Sequence, residues 1–182
     1  MERALVIYES MFGNTRAIGE AVARGLSEHL ATDLIEVSHA PASIPQDVSV
    51  VVVGGPTHAF GLSRPRTRQD AASQADEPLD PATGLREWLD DVERPRPHVA
   101  GGAFDTRIDK PRVPGSAARA AERRLRKLGF EIAASAESFY VAGTKGPLVD
   151  GELQRARRWA AASFATVGGD DARSGVTADR RS

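Results

Sequence analysis

A three-layer α/β/α fold is predicted, with helices on both faces of a five-stranded parallel sheet in the order 2-1-3-4-5. Three observations carry it. Short β-branched runs alternate with longer stretches of helical period along the 182 residues. The run Ser49 to Val53 is almost unbroken valine, as only a central strand covered on both faces requires. The strand count matches this doubly wound order, and its crossovers are right-handed.

Ala4 to Tyr8 reads as the first strand. Asn14 to Leu30 follows as a helix whose Ile18, Val22, Leu26 and Leu30 recur along one side and face the sheet. Asp33 to Val37 is a weaker strand, and the valine run is the third. The polar stretch from Leu62 to Pro81 has no period of its own and reads as an extended insertion. Leu85, Trp88, Leu89 and Val92 mark a short amphipathic helix capped by Asp80 or Thr83 and ended by Pro95 and Pro97. A small-residue strand, His98 to Phe104, leads into a loop from Asp105 to Pro114. Ser116 then caps a helix burying Ala117, Ala121, Leu125 and Leu128, and Gly129 closes it. The fifth strand is split into Glu131 to Ala133 and Ser138 to Val141. A last helix, from about Asp150 to Val167, turns Leu153, Ala156, Ala160 and Phe164 inward. Residues 1–167 are expected to form one domain, and 168–182 a polar, disordered tail.

An apolar fraction of 41%, a charged fraction of 27% and a net charge of −1 argue against bulk attraction to nucleic acid. Neither a signal peptide nor an apolar run long enough to span a membrane is visible, so a cytoplasmic protein is expected. Zero cysteines exclude disulfides, thiolate nucleophiles and Cys-ligated clusters, so redox chemistry here needs a bound cofactor. His29, His39 and His98 lack metal-ligand spacing. Trp88 and Trp159 read as packing residues.

The stretch Ser10-Met11-Phe12-Gly13-Asn14-Thr15 joins the first strand to the first helix. Amides opening a helix have no intrahelical acceptor, and the helix dipole adds partial positive charge there. With the hydroxyls of Ser10 and Thr15, this turn is suited to a phosphate. Two other loops follow the carboxyl ends of predicted strands, at 54–60 and 103–109, and the fold brings all three to one crevice.

The Ser-Met-Phe-Gly-Asn-Thr turn resembles the phosphate loop of the flavodoxin family, of the short-chain type. Gly-Gly-Pro-Thr-His-Ala-Phe resembles the loop that flanks the flavin after strand three. The strand order and crevice position stated above are that family's own. The resemblance implies flavin mononucleotide, FMN, as cofactor. Ser10, Met11, Phe12, Gly13, Asn14 and Thr15 would surround its phosphate, with Met11 and Phe12 replacing the small hydroxyl residues usual there. Pro56, Thr57, His58, Ala59 and Phe60 would lie along the ring, with His58 or Phe60 stacked on it. Phe104, Asp105, Thr106 and Arg107 occupy the third loop, where no tyrosine follows to cover the ring's outer face. Arg64, Arg66, Arg68, Arg107, Lys110 and Arg112 would rim the flavin, raising its potential and attracting anionic reactants. No protein residue is expected to act as a covalent catalyst. The implied function is an electron carrier between a redox donor and acceptor. The alternatives are an NAD(P)H- or quinone-linked oxidoreductase and a non-redox flavin-binding module.

Overall fold

The computed structural model describes residues 2–58, 60–75, 81–111 and 114–167. Four expectations therefore lie outside the described residues: the parts played by Ala59, by Asp80 as a cap and by Arg112, and the tail from Gly168. The elements run β1 (Arg3–Tyr8), α1 (Asn14–Leu26), β2 (Ala31–Glu36), β3 (Val48–Pro56), α2 (Pro65–Ala72), α3 (Leu85–Asp91), β4 (Ala100–Ile108), α4 (Ala117–Leu128), β5 (Glu131–Ile132), β6 (Glu137–Val141) and α5 (Glu152–Ser163). Every strand pairing is parallel, in the order β2-β1-β3-β4-β5. β6 pairs with β4 beyond β5 on the same edge, so the fifth position is the split strand expected from the sequence.

Alternation along the strands divides the core in two. Leu5, Ile7, Val51 and Val53 face α3 and α4, packing with Leu85, Trp88, Leu89 and Leu125. Ala4, Val6, Val50 and Val52 face α1 and α5, packing with Ile18, Val22, Leu26, Ala156 and Phe164. Both faces of the valine run are thus covered, and each buried valine contributes about 1.5–3 kcal/mol relative to exposure. Trp159 sits edge-on between Phe139 and Phe164, a packing role. Among the described residues no helix is long and apolar enough to cross a membrane.

Four sequence expectations are corrected. The first helix ends at Leu26, and Leu30, still buried, leads into β2. The insertion is not wholly extended, for it carries α2. Pro65 opens that helix with φ already set, and the Thr67 hydroxyl accepts from the Arg64 amide at 2.9 Å. No apolar period announces α2 because a cation anchors it. Arg68, 3% exposed, donates to the Ser63 hydroxyl at 2.9 Å and the Pro81 carbonyl at 2.8 Å, and pairs with Glu87 at 3.0 Å. The N-cap of α3 is Gly84, whose amide donates to Glu87, rather than Thr83, while Asp80 lies outside the described residues. Finally, β4 continues through residues 105–108 instead of breaking into a loop, because β6 pairs with it from Phe104 to Ile108.

Candidate functional site

A cleft of about 260 Å³ opens where β1, β3 and β4 end. The β1–α1 turn contributes Met11, Phe12, Asn14 and Thr15; the end of β3 contributes Pro56, Thr57 and His58; β4 contributes Thr106 and Arg107. Ile108, Val141 and Thr144 complete the lining. Ile108 falls within the expected 103–109 segment and enters on the extended β4, whereas Val141 and Thr144, which no sequence signal marked, enter because β6 ends beside it.

The turn into α1 is built around Gly13, at φ +86, a left-handed conformation that glycine adopts without penalty. The Gly13 amide donates to the Ser10 hydroxyl oxygen at 3.1 Å, so Ser10 shapes the turn while its own proton stays available as a donor. No acidic residue stands in the first turn of α1, and no side chain caps it. Its first turn, whose Asn14 and Thr15 line the cleft, therefore carries the dipole's positive end with no side-chain cap and no acid to offset it. Met11 is mostly buried and flanks this space rather than filling it. The hydroxyls of Thr15 and Thr106 meet at 2.7 Å in a buried bond between α1 and β4. One of the two protons is spent in that bond, and the other is left for the cleft.

His58 and Gly61 exchange two backbone hydrogen bonds at 2.9 and 3.0 Å, closing a tight turn that carries Phe60 at its tip. Phe60 is 62% exposed with φ +74, and it stands outside the cleft lining. His58 lines the cleft. Burial lowers its imidazole below the ordinary 6.5, so the ring is neutral at pH 7.

Two of the expected third-loop residues lie beneath the site instead of along it. Phe104 is fully buried, its ring filling the space over Gly54, where a Cβ would stand 2.0 Å from it. Asp105 is also fully buried. Its Oδ2 accepts from the Thr57 hydroxyl at 2.9 Å, the Ser116 hydroxyl at 2.6 Å and the Ala118 amide at 2.9 Å. The carboxylate thus holds the N-terminus of α4 against β3. The basic rim is corrected too. Arg68 is the buried anchor of α2, Arg64 and Arg66 are exposed, and none of the three lines the cleft. Arg107 does.

Glu9, the residue before Ser10, was not singled out by its sequence. It is 5% exposed and accepts from the Ser63 hydroxyl and, at 2.7 Å, from the Leu85 amide, tying the turn to the start of α3. Burial pushes its carboxyl above the ordinary range, against the pull of those donors and of Arg68. The native state therefore keeps this proton to higher pH than the unfolded chain does. The stability it contributes is full below the ordinary carboxylate range and is lost as pH rises through the raised value.

Comparison with known proteins places this geometry. Oxidised flavodoxin 1 from Bacillus cereus is 16% identical, covers 91% of this chain and 98% of its own, and superposes with a TM-score of 0.65. A flavodoxin from the domain Archaea is 16% identical over 91% of this chain and 98% of that one, at a TM-score of 0.60. The Flv1 flavodiiron core from Synechocystis is 18% identical over 91% of this chain at 0.58, but the match spans only 36% of that protein. At these identities the likeness establishes the fold. No curated protein sequence matches. The flavodoxin family's sequence model matches residues 6–176. The chain belongs to the flavodoxin family, and its cofactor is FMN.

Proposed function

We propose that this protein uses FMN to carry electrons between a redox donor and an acceptor. The observation that supports it most is the unplugged start of α1 at the mouth of the cleft, with glycine at its N-cap and no acid in its first turn. The first amides of α1 with Asn14 and Thr15 would hold the phosphate. Pro56, Thr57, His58, Thr106 and Arg107 would wall the rest of the nucleotide and exclude water from it. When bound, FMN supplies the electron transfer itself. The protein supplies binding, orientation and charge. His58 and Arg107 both line the cleft, and burial disfavours the charged form of the His58 ring.

A second reading, an oxidoreductase acting directly on NAD(P)H or a quinone, is favoured by a specific observation. No tyrosine follows Arg107, and Phe60 stands exposed beside the cleft mouth, so the outer side is open to a small reactant. A non-redox flavin-binding module is the third.

The deciding experiment begins with the absorption spectrum of the purified protein before and after FMN is added. A yellow, saturable complex is expected, and Thr15→Ala should weaken it by about 1–2 kcal/mol. A protein that takes up no FMN refutes the proposal. Reversible photoreduction separates a redox role from the module, and NADPH oxidation without a partner reductase separates the enzyme from the carrier.

A further inference from the structure

Phe12, which lines the cleft within the turn into α1, has a cation beside its ring. The Lys145 ammonium stands 5.8 Å from the ring centroid, within the range at which an aromatic face attracts a positive charge. Lys145 arrives from a distant part of the chain, and backbone bonds set its place. Past β6 the Ala142 amide donates to the Pro147 carbonyl at 2.9 Å and the Gly146 amide to the Gly143 carbonyl at 3.0 Å, closing a tight turn with Thr144 and Lys145 at its centre. Thr144 lines the cleft. The Lys145 ammonium itself donates to the Gln74 carbonyl at 2.8 Å, just beyond the end of α2. The turn into α1, the turn after β6 and the insertion thus meet at one lysine.

None of these contacts neutralises it. A carbonyl is an uncharged acceptor and occupies one of the three protons an ammonium carries, so two remain for another anion or for water. Among the described residues no carboxylate pairs with Lys145. No residue that lines the cleft is acidic, and the first turn of α1 holds no acid either. The end of the cleft where α1 begins therefore has a full positive charge close to the partial one of the helix dipole. Phe12 brings the turn no side-chain donor, but its ring gives the ammonium a resting place there.

We infer that Lys145 is the residue by which the cleft selects a phosphorylated flavin over the same ring without its phosphate. Neutral donors and a helix end can hold an oxyanion of either single or double charge, whereas a mobile ammonium adds attraction that grows with the charge on the ligand. Phe12 and Gln74 keep that ammonium at the turn instead of in open solvent. The inference rests on the reading that the cleft holds FMN with its phosphate at the start of α1. It deepens that reading by naming the side chain that sets the specificity.

The test titrates two ligands, FMN and riboflavin, into the full-length protein at low and at high salt, following the quenching of flavin fluorescence. Lys145→Gln should weaken FMN binding by at least about threefold at low salt, in keeping with one lost exposed ion pair, and leave riboflavin binding unchanged. Its FMN affinity should also depend less on salt than that of the unaltered protein. Lys145→Arg keeps the charge and should keep the preference for FMN. Lys127→Gln, an equal change of net charge on α4, should alter neither ligand. The inference is overturned if Lys145→Gln weakens both flavins equally, if it weakens neither, or if Lys127→Gln has the same effect. Where riboflavin binds too weakly to titrate, an unchanged salt dependence overturns it. An unaltered protein that binds neither flavin refutes the FMN reading and the inference together, whereas FMN binding that survives Lys145→Gln intact refutes the inference alone.

Discussion

Two helices, α1 and α4, begin at the same end of the sheet, and their N-termini are treated in opposite ways. The start of α4 is sealed by the protein itself. Asp105 accepts from the Ala118 amide and from the Ser116 and Thr57 hydroxyls, while Thr57 and Ser116 accept from the amides of Ala117 and Arg119. The start of α1 has no such carboxylate and no side-chain cap. Both ends carry the same dipole and the same unsatisfied amides, so the difference is one of supply. Where the chain provides its own anion the helix end becomes a joint, and where it provides none the end becomes a receptor. α3 makes the same point, since Glu9 from the end of β1 accepts from its first amide. Under the proposed function, the anion of FMN goes to the helix left without one.

The contrast can be broken from either side. Asp105→Ala should have the largest effect. It leaves two buried donors, the Ser116 hydroxyl and the Ala118 amide, and the part-buried Thr57 hydroxyl without this partner; at about 1–3 kcal/mol for each buried donor, a loss of at least about 2 kcal/mol is expected in urea unfolding. A loss below about 1 kcal/mol would mean the joint is held by packing instead. Gly13→Val should come next. Nothing stands within 4 Å of the position its Cβ would take, so the harm comes from φ +86 alone. A cost of about 1–2 kcal/mol is expected, seen as lower thermal stability and weaker FMN binding by titration. Gly13→Asn, which tolerates the left-handed region, should recover most of it. The smallest effect sharpens the comparison most. Asn14→Asp supplies α1 with the carboxylate it lacks. It should stabilise the FMN-free protein by about 0.3–1 kcal/mol and weaken FMN binding by a similar amount. Changes of the same sign in both measurements would sever the link between an open helix end and the ligand.

The sheet order was legible because hydrophobic pattern determines it: the valine run requires two covering layers, and strand and helix periods alternate plainly around it. The Ser116 cap and the Gly129 stop were legible for the same local reason. What escaped the sequence is held by polar contacts between distant segments. α2 buries Arg68 rather than an apolar stripe, so its period is absent and only Pro65 signals its start. Thr106, Arg107 and Ile108 look like a loop until β6 pairs with them. The family resemblance points to Asp105 as a cofactor residue, but its partners lie at Thr57, Ser116 and Ala118, and only the assembled fold brings them together. Glu9 carried no signal at all, for nothing in its neighbourhood announces a buried acid.

The buried contact between the Thr15 and Thr106 hydroxyls, 2.7 Å apart, fixes the gauge of the receptacle before any nucleotide arrives. It rivets the first helix to the fourth strand where both residues line the cleft. Entry therefore spends little entropy on closing jaws that are already set.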